Sequence, residues 1–206
     1  MSLFRLPRLY AILDSSCFAS SELLFSAAQE FVAAGVTLLQ YRNKTGNPRQ
    51  ILNDARELKR VLGNSVQMIM NDRADLAVAA GFDGVHVGQE DLSPESARTV
   101  IGPDLILGVS THNPEQLKEA DQTSANYLAI GPVFATSSKT NPDPVIGLEG
   151  VRKARALTGK PLVAIGGITR SNALSVIEAG ADAVAIISDL VREPRKSAEE
   201  FLQILR

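Results

Sequence analysis

Short hydrophobic segments alternate with longer amphipathic segments along the whole chain. Eight of the short segments have the length of β-strands, and several are almost continuous in valine, isoleucine, leucine and alanine. Such runs are typical of parallel strands that are buried on both faces. The predicted strands cover residues 9–13, 36–42, 66–71, 84–88, 105–110, 127–131, 161–167 and 183–188.

The amphipathic segments between these strands carry the start and stop signals of helices. The first begins at Ser21, a candidate N-cap, and ends before Gly35, which suits a left-handed C-terminal position. Asn47 and Pro48 open the next segment as a cap followed by a first-turn proline. Eight strand signals that alternate with helix signals over short links predict a (β/α)8 barrel.

A doubly wound sheet would show the same alternation of strands and helices. That fold usually has a glycine-rich dinucleotide-binding turn after its first strand, and residues 11–20 contain no glycine. No linker, charge run or low-complexity segment divides the chain. We therefore predict an α/β fold, a single-domain TIM barrel that occupies residues 1–206.

Composition and charge narrow the range of partners. The formal net charge is -2, so the chain has no bulk attraction for nucleic acid or for an anionic membrane. The sequence has no run of about 18 apolar residues to span a bilayer and no signal-peptide pattern at its N-terminus. The single cysteine, Cys17, excludes an intramolecular disulfide and is expected to be a packed thiol. We expect a soluble cytoplasmic protein.

The second predicted strand ends in polar residues at alternate positions. Gln40, Arg42 and Lys44 fall on one face, because side chains alternate along a strand. Functional groups of a TIM barrel lie at the carboxyl ends of its strands, so these side chains are candidates for binding a ligand. Arginine and lysine also end strands as solvated groups, and this alternative stays open.

Two carboxylates follow the third and fourth predicted strands. Asp72 comes directly after Asn71, and Asp91 lies just beyond the fourth strand. Carboxylates on adjacent loops can share Mg²⁺, which usually takes one or two protein carboxylates together with substrate phosphates. The alternatives are that Asp72 is the N-cap of the following helix and that Asp91 is a loop or capping residue.

A phosphate site is predicted after the last two strands. Gly167 completes a Gly-Gly turn after the seventh strand, and the helix that follows is predicted to start near Thr169. Ile187 and Ser188 end the eighth strand. Phosphate sites recur at this position of the fold, where glycine permits close approach and helix N-termini offer free N–H groups.

The sixth predicted strand leads into hydroxyl side chains and one ammonium group, namely Thr136, Ser137, Ser138 and Lys139. These groups are hydrogen-bond donors that could cradle an anion. Together with the phosphate turn and the carboxylate pair, they suggest one substrate with a pyrophosphate near a metal and a second with a monophosphate.

The two histidines lie at strand ends. His86 stands within the end of the fourth strand and is interpreted as a hydrogen-bonded structural residue. His112 follows the fifth strand and is expected to belong to the turn before Pro114.

Several segments occur in the order seen in thiamine-phosphate synthases, and the chain resembles that family from its second strand to its eighth. The segments are QYRNK, NDRADLAVAAGFDGVHVGQEDL, GVSTHN, AIGPVFATSSKT, AIGGI and AGADAVAIIS. The resemblance implies a TIM-barrel transferase of thiamine biosynthesis. Such an enzyme couples a hydroxymethylpyrimidine diphosphate to a thiazole phosphate, releasing pyrophosphate and forming thiamine phosphate.

The resemblance also implies roles for particular residues. Those expected to bind the two substrates are Gln40, Arg42, Lys44, Asn71, Ser110, Thr136, Ser137, Ser138, Lys139, Gly167, Ile187 and Ser188. The first four would hold the pyrimidine diphosphate, the hydroxyls after the sixth strand the thiazole, and the last three the thiazole phosphate. Arg42, Ser110 and Lys139 are expected to act in catalysis, and Asp72 and Asp91 to bind Mg²⁺.

The reaction that the resemblance implies is dissociative. The bond to pyrophosphate breaks first, and the thiazole nitrogen traps a pyrimidine-stabilised carbocation, so no protein nucleophile is needed. The related thiazole tautomerase shares the fold, but it has a catalytic histidine where this chain has Pro132. A non-catalytic barrel that binds thiamine intermediates is a third hypothesis. The sequence leaves open whether the protein forms a homo-oligomer and whether the thiazole is carboxylated.

Overall fold

The computed structural model describes residues 5–136 and 143–206, and eight parallel strands of these ranges close into a barrel in sequence order. Pairing between the first strand and the last closes the barrel. The strands are β1 (Leu9–Asp14), β2 (Leu38–Arg42), β3 (Gln67–Asn71), β4 (Gly84–Val87), β5 (Ile106–Thr111), β6 (Tyr127–Ile130), β7 (Leu162–Ile165) and β8 (Ala183–Ile186). The predicted TIM barrel is confirmed, and no predicted strand end differs from the observed one by more than two residues.

Helices pack around the outside of this barrel. They are α1 (Ser21–Ala34), α2 (Pro48–Leu62), α3 (Ala74–Ala80), α4 (Pro94–Ile101), α5 (Pro114–Asp121), α6 (Gly147–Leu157), α7 (Ala173–Glu178), α8 (Ser188–Val191) and α9 (Pro194–Ile204). Asn47 caps α2 as predicted. Ser21 is not the cap of α1, because Ser20 has the extended backbone and accepts the hydrogen bond from the Leu23 N–H. Within the described ranges, no helix has the length and hydrophobicity that a bilayer span requires.

The strands separate two hydrophobic cores because their side chains alternate between the two faces of the sheet. Leu9, Ala11 and Leu13 of β1 belong to the outer core between sheet and helices, whereas Tyr10 and Ile12 point into the barrel. The buried members of the inner core are Tyr10, Ile12, Leu38, Ile69, Ile106, Tyr127, Ala129, Val163, Ala183 and Ala185. Burial of both faces explains why the strands are almost continuously hydrophobic.

Cys17 lies in a short 3₁₀ helix, Ser15–Cys17, that follows β1, and it is exposed. The expectation of a packed thiol is therefore wrong. The physical reason is local, since Asp14 at the end of β1 accepts a hydrogen bond from the Ser16 N–H at 3.0 Å. This cap turns the chain out of the barrel before Cys17 is reached.

Candidate active site

A pocket of about 720 Å³ opens at the carboxyl-terminal side of the barrel, and residues of all eight strands line it. It contains most of the side chains that sequence reasoning selected. Those that line it are Gln40, Arg42, Lys44, Asn71, Asp72, Asp91, Ser110, Thr136, Gly167, Ile187 and Ser188. Ser137, Ser138 and Lys139 lie outside the described residues, so their predicted roles stay predictions.

Arg42 is held by a buried carboxylate at the end of the neighbouring strand. Asp14 of β1 pairs in register with Arg42 of β2, and their side chains form an ion pair. The Asp14 side chain is only 4% exposed and the Arg42 side chain 20%. Arg42 is therefore oriented towards the pocket, and the alternative of a solvated strand end is wrong for it. Sequence reasoning missed Asp14, whose only signal was an acid directly after a hydrophobic strand.

Asp72 has a backbone that non-glycine residues seldom adopt. Its φ is 62°, which makes it the one non-glycine residue with positive φ among those the structure describes. Its N–H donates to the carbonyl of His86 at 2.8 Å, and its carboxylate pairs with Lys44. The N-cap alternative is wrong, because Arg73 occupies the cap position of α3. Backbone strain of this kind concentrates at functional sites, where surrounding contacts enforce it.

Asp91 lies against Asp72, so two carboxylates from adjacent loops meet in the pocket. One oxygen of Asp91 accepts from the Gly88 N–H at 2.8 Å, and Ser93 caps α4, so the alternative that Asp91 caps this helix is wrong. Burial raises the pKa of Asp72; Lys44 opposes this shift and the Asp91 carboxylate adds to it. Two acids that repel each other in this way form a site that a cation would stabilise.

The two carboxylates suit Mg²⁺ by their chemistry. Within the described ranges, no cluster of three or more acidic, histidine or cysteine side chains could hold a metal. A pair of carboxylates with the remaining positions left to water and phosphate oxygens is the usual protein contribution to a magnesium site. The residues present therefore fit this ion.

Asn71, the last residue of β3, has a buried amide nitrogen without a partner among the described residues. Buried polar atoms are almost always hydrogen-bonded, and an exception needs an explanation. Asn71 lines the pocket beside Asp72. A bound ligand that accepts this N–H would account for it.

The turn after β7 is shaped by two consecutive glycines with positive φ, 100° at Gly166 and 62° at Gly167. The helix predicted to start near Thr169 instead begins at Ala173. The side chain of Asn172 accepts from the Thr169 N–H at 2.8 Å and forms a turn there. That N–H is therefore not available to a phosphate, and the expectation of a helix N-terminus at Thr169 is wrong.

Replacing Gly167 by alanine is expected to lower the free energy of unfolding by about 2–4 kcal/mol. Its φ is 62°, and an added Cβ would lie 2.4 Å from the Ala135 carbonyl oxygen and 2.8 Å from the Cβ of Phe134. Gly159→Ala is the matched control, since no atom lies within 4 Å of its added Cβ. Urea unfolding of both variants measures the difference. Equal stability of the two would contradict this account of the turn.

His86 is a hydrogen-bonded histidine, as predicted, and it also reaches the pocket. Its Nδ1 lies 2.9 Å from the Tyr127 hydroxyl, and its Nε2 lies 2.7 Å from Ser110 Oγ. The imidazole stacks on the Tyr127 ring, with 5.5 Å between ring centroids. Burial lowers the pKa of His86 to about 4, so the ring is neutral near pH 7.

His112 lies in the turn before α5, as expected. Its N–H donates to Gln116 Oε1 at 2.8 Å. Its imidazole Nδ1 lies 2.7 Å from the Gly131 carbonyl oxygen, so this side chain bridges the ends of β5 and β6. Pro132 follows on the pocket wall.

A closed eight-stranded parallel barrel with a polar pocket at its carboxyl ends is an enzyme architecture. A family profile described as thiamine monophosphate synthase matches residues 9–190. The thiamine-phosphate synthase of Koribacter versatilis (strain Ellin345) is 64% identical over 98% of this chain and 97% of its own length. That of Chloroflexus aurantiacus is 42% identical over 89% of this chain and 85% of its own.

Solved structures agree with these relatives. A thiamine phosphate pyrophosphorylase from Pyrococcus furiosus superposes with a TM-score of 0.85 at 35% identity, covering 96% of this chain and 95% of that one. The chain belongs to the thiamine-phosphate synthase family. It is accordingly a transferase of thiamine biosynthesis, and the resemblance read from the sequence motifs is confirmed.

Proposed function

We propose that the enzyme couples 4-amino-5-hydroxymethyl-2-methylpyrimidine diphosphate with a thiazole phosphate, giving thiamine phosphate and pyrophosphate. The observation that carries this proposal is the distribution of charge in one pocket. Cations and a carboxylate pair lie at the ends of β2, β3 and β4, and a glycine turn lies at the end of β7. One pocket therefore offers sites for a diphosphate and for a monophosphate.

The pyrimidine diphosphate is assigned to the wall that β2 and β3 form. Arg42 and Lys44 supply positive charge for the diphosphate, and both are held in place by carboxylates. Gln40 lies deeper, only 3% exposed, where its amide can face the aminopyrimidine ring. The unpartnered Asn71 amide nitrogen supplies a further donor at the same wall.

Asp72 and Asp91 are the residues that would hold Mg²⁺, and the ion, when bound, supplies charge neutralisation for pyrophosphate oxygens. Lys44 pairs with Asp72, so the same ammonium group touches the proposed metal site and borders the proposed diphosphate site. These contacts support placing the leaving group at the mouth of the pocket, beside the carboxylates.

The thiazole phosphate is assigned to the opposite wall. Gly167 leaves room for an anion because it has no side chain, and Ser188, the first residue of α8, offers its hydroxyl and its own N–H. Ile187 lies between this end and the inner core and supplies apolar contact. Thr136 borders the thiazole, and the same role is proposed for Ser137 and Ser138, with Lys139 facing pyrophosphate.

The proposed reaction is a dissociative substitution. The C–O bond between the pyrimidine methylene and pyrophosphate breaks, and its electron pair leaves with pyrophosphate. The lone pair of the thiazole nitrogen then forms the C–N bond to the methylene carbocation, so no protein nucleophile takes part. Holding two substrates in contact can lower the barrier by roughly 7–11 kcal/mol.

The proposal is tested by incubating the purified protein with both substrates and Mg²⁺. We expect thiamine phosphate and pyrophosphate in equal amounts, and we expect EDTA to abolish both. Absence of product from folded protein would overturn the proposal. Rearrangement of the thiazole phosphate alone would identify a tautomerase instead, an activity that Pro132 argues against because proline has no proton-transfer group.

A further inference from the structure

A continuous chain of hydrogen bonds crosses the floor of the pocket from Gln40 to Ser110. Gln40 Nε2 donates to the Tyr10 hydroxyl at 2.7 Å, and the Tyr10 and Tyr127 hydroxyls are 2.9 Å apart. The Tyr127 hydroxyl lies 2.9 Å from His86 Nδ1, and His86 Nε2 lies 2.7 Å from Ser110 Oγ. Gln40 and Ser110, the two ends of this series of hydrogen bonds, face the pocket. Tyr10 and Tyr127, in its middle, are at most 1% exposed.

The hydrogen atoms of this chain can be ordered by following the donors. Because Gln40 donates to the Tyr10 oxygen, the Tyr10 proton goes on to Tyr127. Among the described hydrogen bonds of Tyr127, the one to His86 Nδ1 is left to take its proton. A neutral imidazole has one N–H, which is left on Nε2 and donates to Ser110 Oγ.

The opposite order fails at Tyr10. Its oxygen would then accept from both Gln40 and Tyr127, and its own proton would have no acceptor among the described hydrogen bonds. A buried hydroxyl proton without an acceptor costs free energy, roughly 1–3 kcal/mol. With Gln40 Nε2 directed at Tyr10, the order that begins at Gln40 is therefore the stable one, and it leaves the Ser110 proton free to face the pocket.

The hydrogen bond between His86 and Tyr127 requires a glycine at position 108. It lies on β5 between His86 of β4 and Tyr127 of β6 in the sheet register. A Cβ at Gly108 would lie 2.1 Å from Tyr127 Cζ and 2.5 Å from His86 Nδ1. Only glycine lets the two side chains meet across β5, so the contact is built into the sequence of the barrel.

We propose that Tyr10, Tyr127 and His86 are positioning residues that fix Ser110 as a hydrogen-bond donor and leave the Gln40 carbonyl oxygen as an acceptor. An aminopyrimidine presents the complementary pair along one edge, an amino donor beside a ring-nitrogen acceptor. The ordered chain thereby selects the ring and its orientation. The inference about the pyrimidine rests on the proposed function, whereas the order of the hydrogens does not.

The order of the hydrogens is tested by ¹⁵N NMR of histidine-labelled wild-type protein without substrates. The chain has two histidines, so the spectrum contains His86 and one internal reference, His112. We expect His86 to carry its proton on Nε2, recognised by the pyrrole-type shift of that nitrogen. A proton on Nδ1 would overturn the proposal, and this measurement holds whatever reaction the enzyme catalyses.

The consequence for binding is tested with Tyr127→Phe, which removes only the central hydroxyl. We expect the His86 tautomer to become mixed while His112 is unchanged. We also expect kcat/KM for the pyrimidine diphosphate to fall roughly 5–10-fold, the value of about one hydrogen bond, with an unchanged KM for the thiazole phosphate. Tyr10→Phe should give the same pattern and serves if the first variant folds poorly.

Tyr41→Phe is the matched control. Tyr41 is the remaining one of the three tyrosines in the sequence, is fully buried, and donates to Asp54 at 3.0 Å on the outer side of the barrel. Its loss should affect stability and leave both KM values unchanged. Equal kinetic losses in Tyr41→Phe and Tyr127→Phe would overturn the positioning role. Absence of thiamine phosphate formation by the wild type would refute only the proposed function.

Discussion

Asp72→Asn should lower turnover by about 10²–10³-fold while the fold persists, the scale of losing one preorganised charge-stabilising group. The substitution keeps the shape of the side chain, and asparagine tolerates the left-handed backbone that Asp72 adopts at φ 62°. It removes one of the two carboxylates proposed for Mg²⁺ and the partner of Lys44. Steady-state release of pyrophosphate at saturating Mg²⁺ measures the effect.

Asp75→Asn is the control for this prediction. Asp75 lies three residues further along the chain, pairs with Arg73 at 2.6 Å and does not line the pocket. Its replacement should leave turnover within about twofold, as for surface sites away from the chemistry. A metal-specific readout accompanies both variants, namely stabilisation of the protein against heat by Mg²⁺ with pyrophosphate. Wild-type turnover in Asp72→Asn, or undiminished stabilisation, would remove Asp72 from the metal site.

The fold could be predicted from the sequence because its signals are local. Runs such as residues 127–130 are hydrophobic at every position, which is the pattern of a short strand covered on both faces. Helix starts such as Asn47 with Pro48 could also be predicted, because cap and first-turn residues act within one turn of the helix. Where two serines adjoin, as at Ser20 and Ser21, sequence cannot distinguish the cap from its neighbour, because both have the same hydroxyl.

Only those residues of the site that lie at strand ends could be predicted from the sequence. Gln40, Arg42 and Asp72 follow from the rule that polar groups after barrel strands share one rim. The hydrogen bond between Tyr10 and Tyr127 spans 117 positions of sequence and crosses the barrel. Such a contact leaves no spacing to recognise, because each tyrosine alone reads as another hydrophobic residue of a strand.

The Asp14–Arg42 ion pair could not be predicted from the sequence for a related reason. Its two members stand opposite each other in the register of β1 and β2, and register follows from the assembled sheet. A lone acid after a strand has many roles, and here it also caps the 3₁₀ helix. The pair connects fold to function, because the pairing of β1 with β2 also orients the cation proposed to receive the diphosphate.

Arg42→Met should lower both activity and stability. A second substitution, at Asp14, should restore the stability but not the activity. Removing the guanidinium leaves Asp14 as a buried carboxylate with only 4% of its side chain exposed. Breaking such a pair from one side should cost about 2–4 kcal/mol of unfolding free energy, since Arg42 itself is partly exposed. Turnover of the pyrimidine diphosphate should fall about 10²-fold, because one charge that stabilises the leaving group is lost.

Asp14→Asn combined with Arg42→Met should recover most of the stability, because no unpaired charge stays buried. Turnover should stay at the level of Arg42→Met, because the cation that faces the pocket is still missing. Asp14→Asn alone keeps that cation but frees it to adopt other rotamers, so we expect a smaller loss of about tenfold, expressed mainly in KM for the diphosphate. Urea unfolding and steady-state kinetics on the four proteins complete the cycle. If turnover recovered together with stability in the double variant, Arg42 would act only through the fold, and its assignment to the diphosphate would fail.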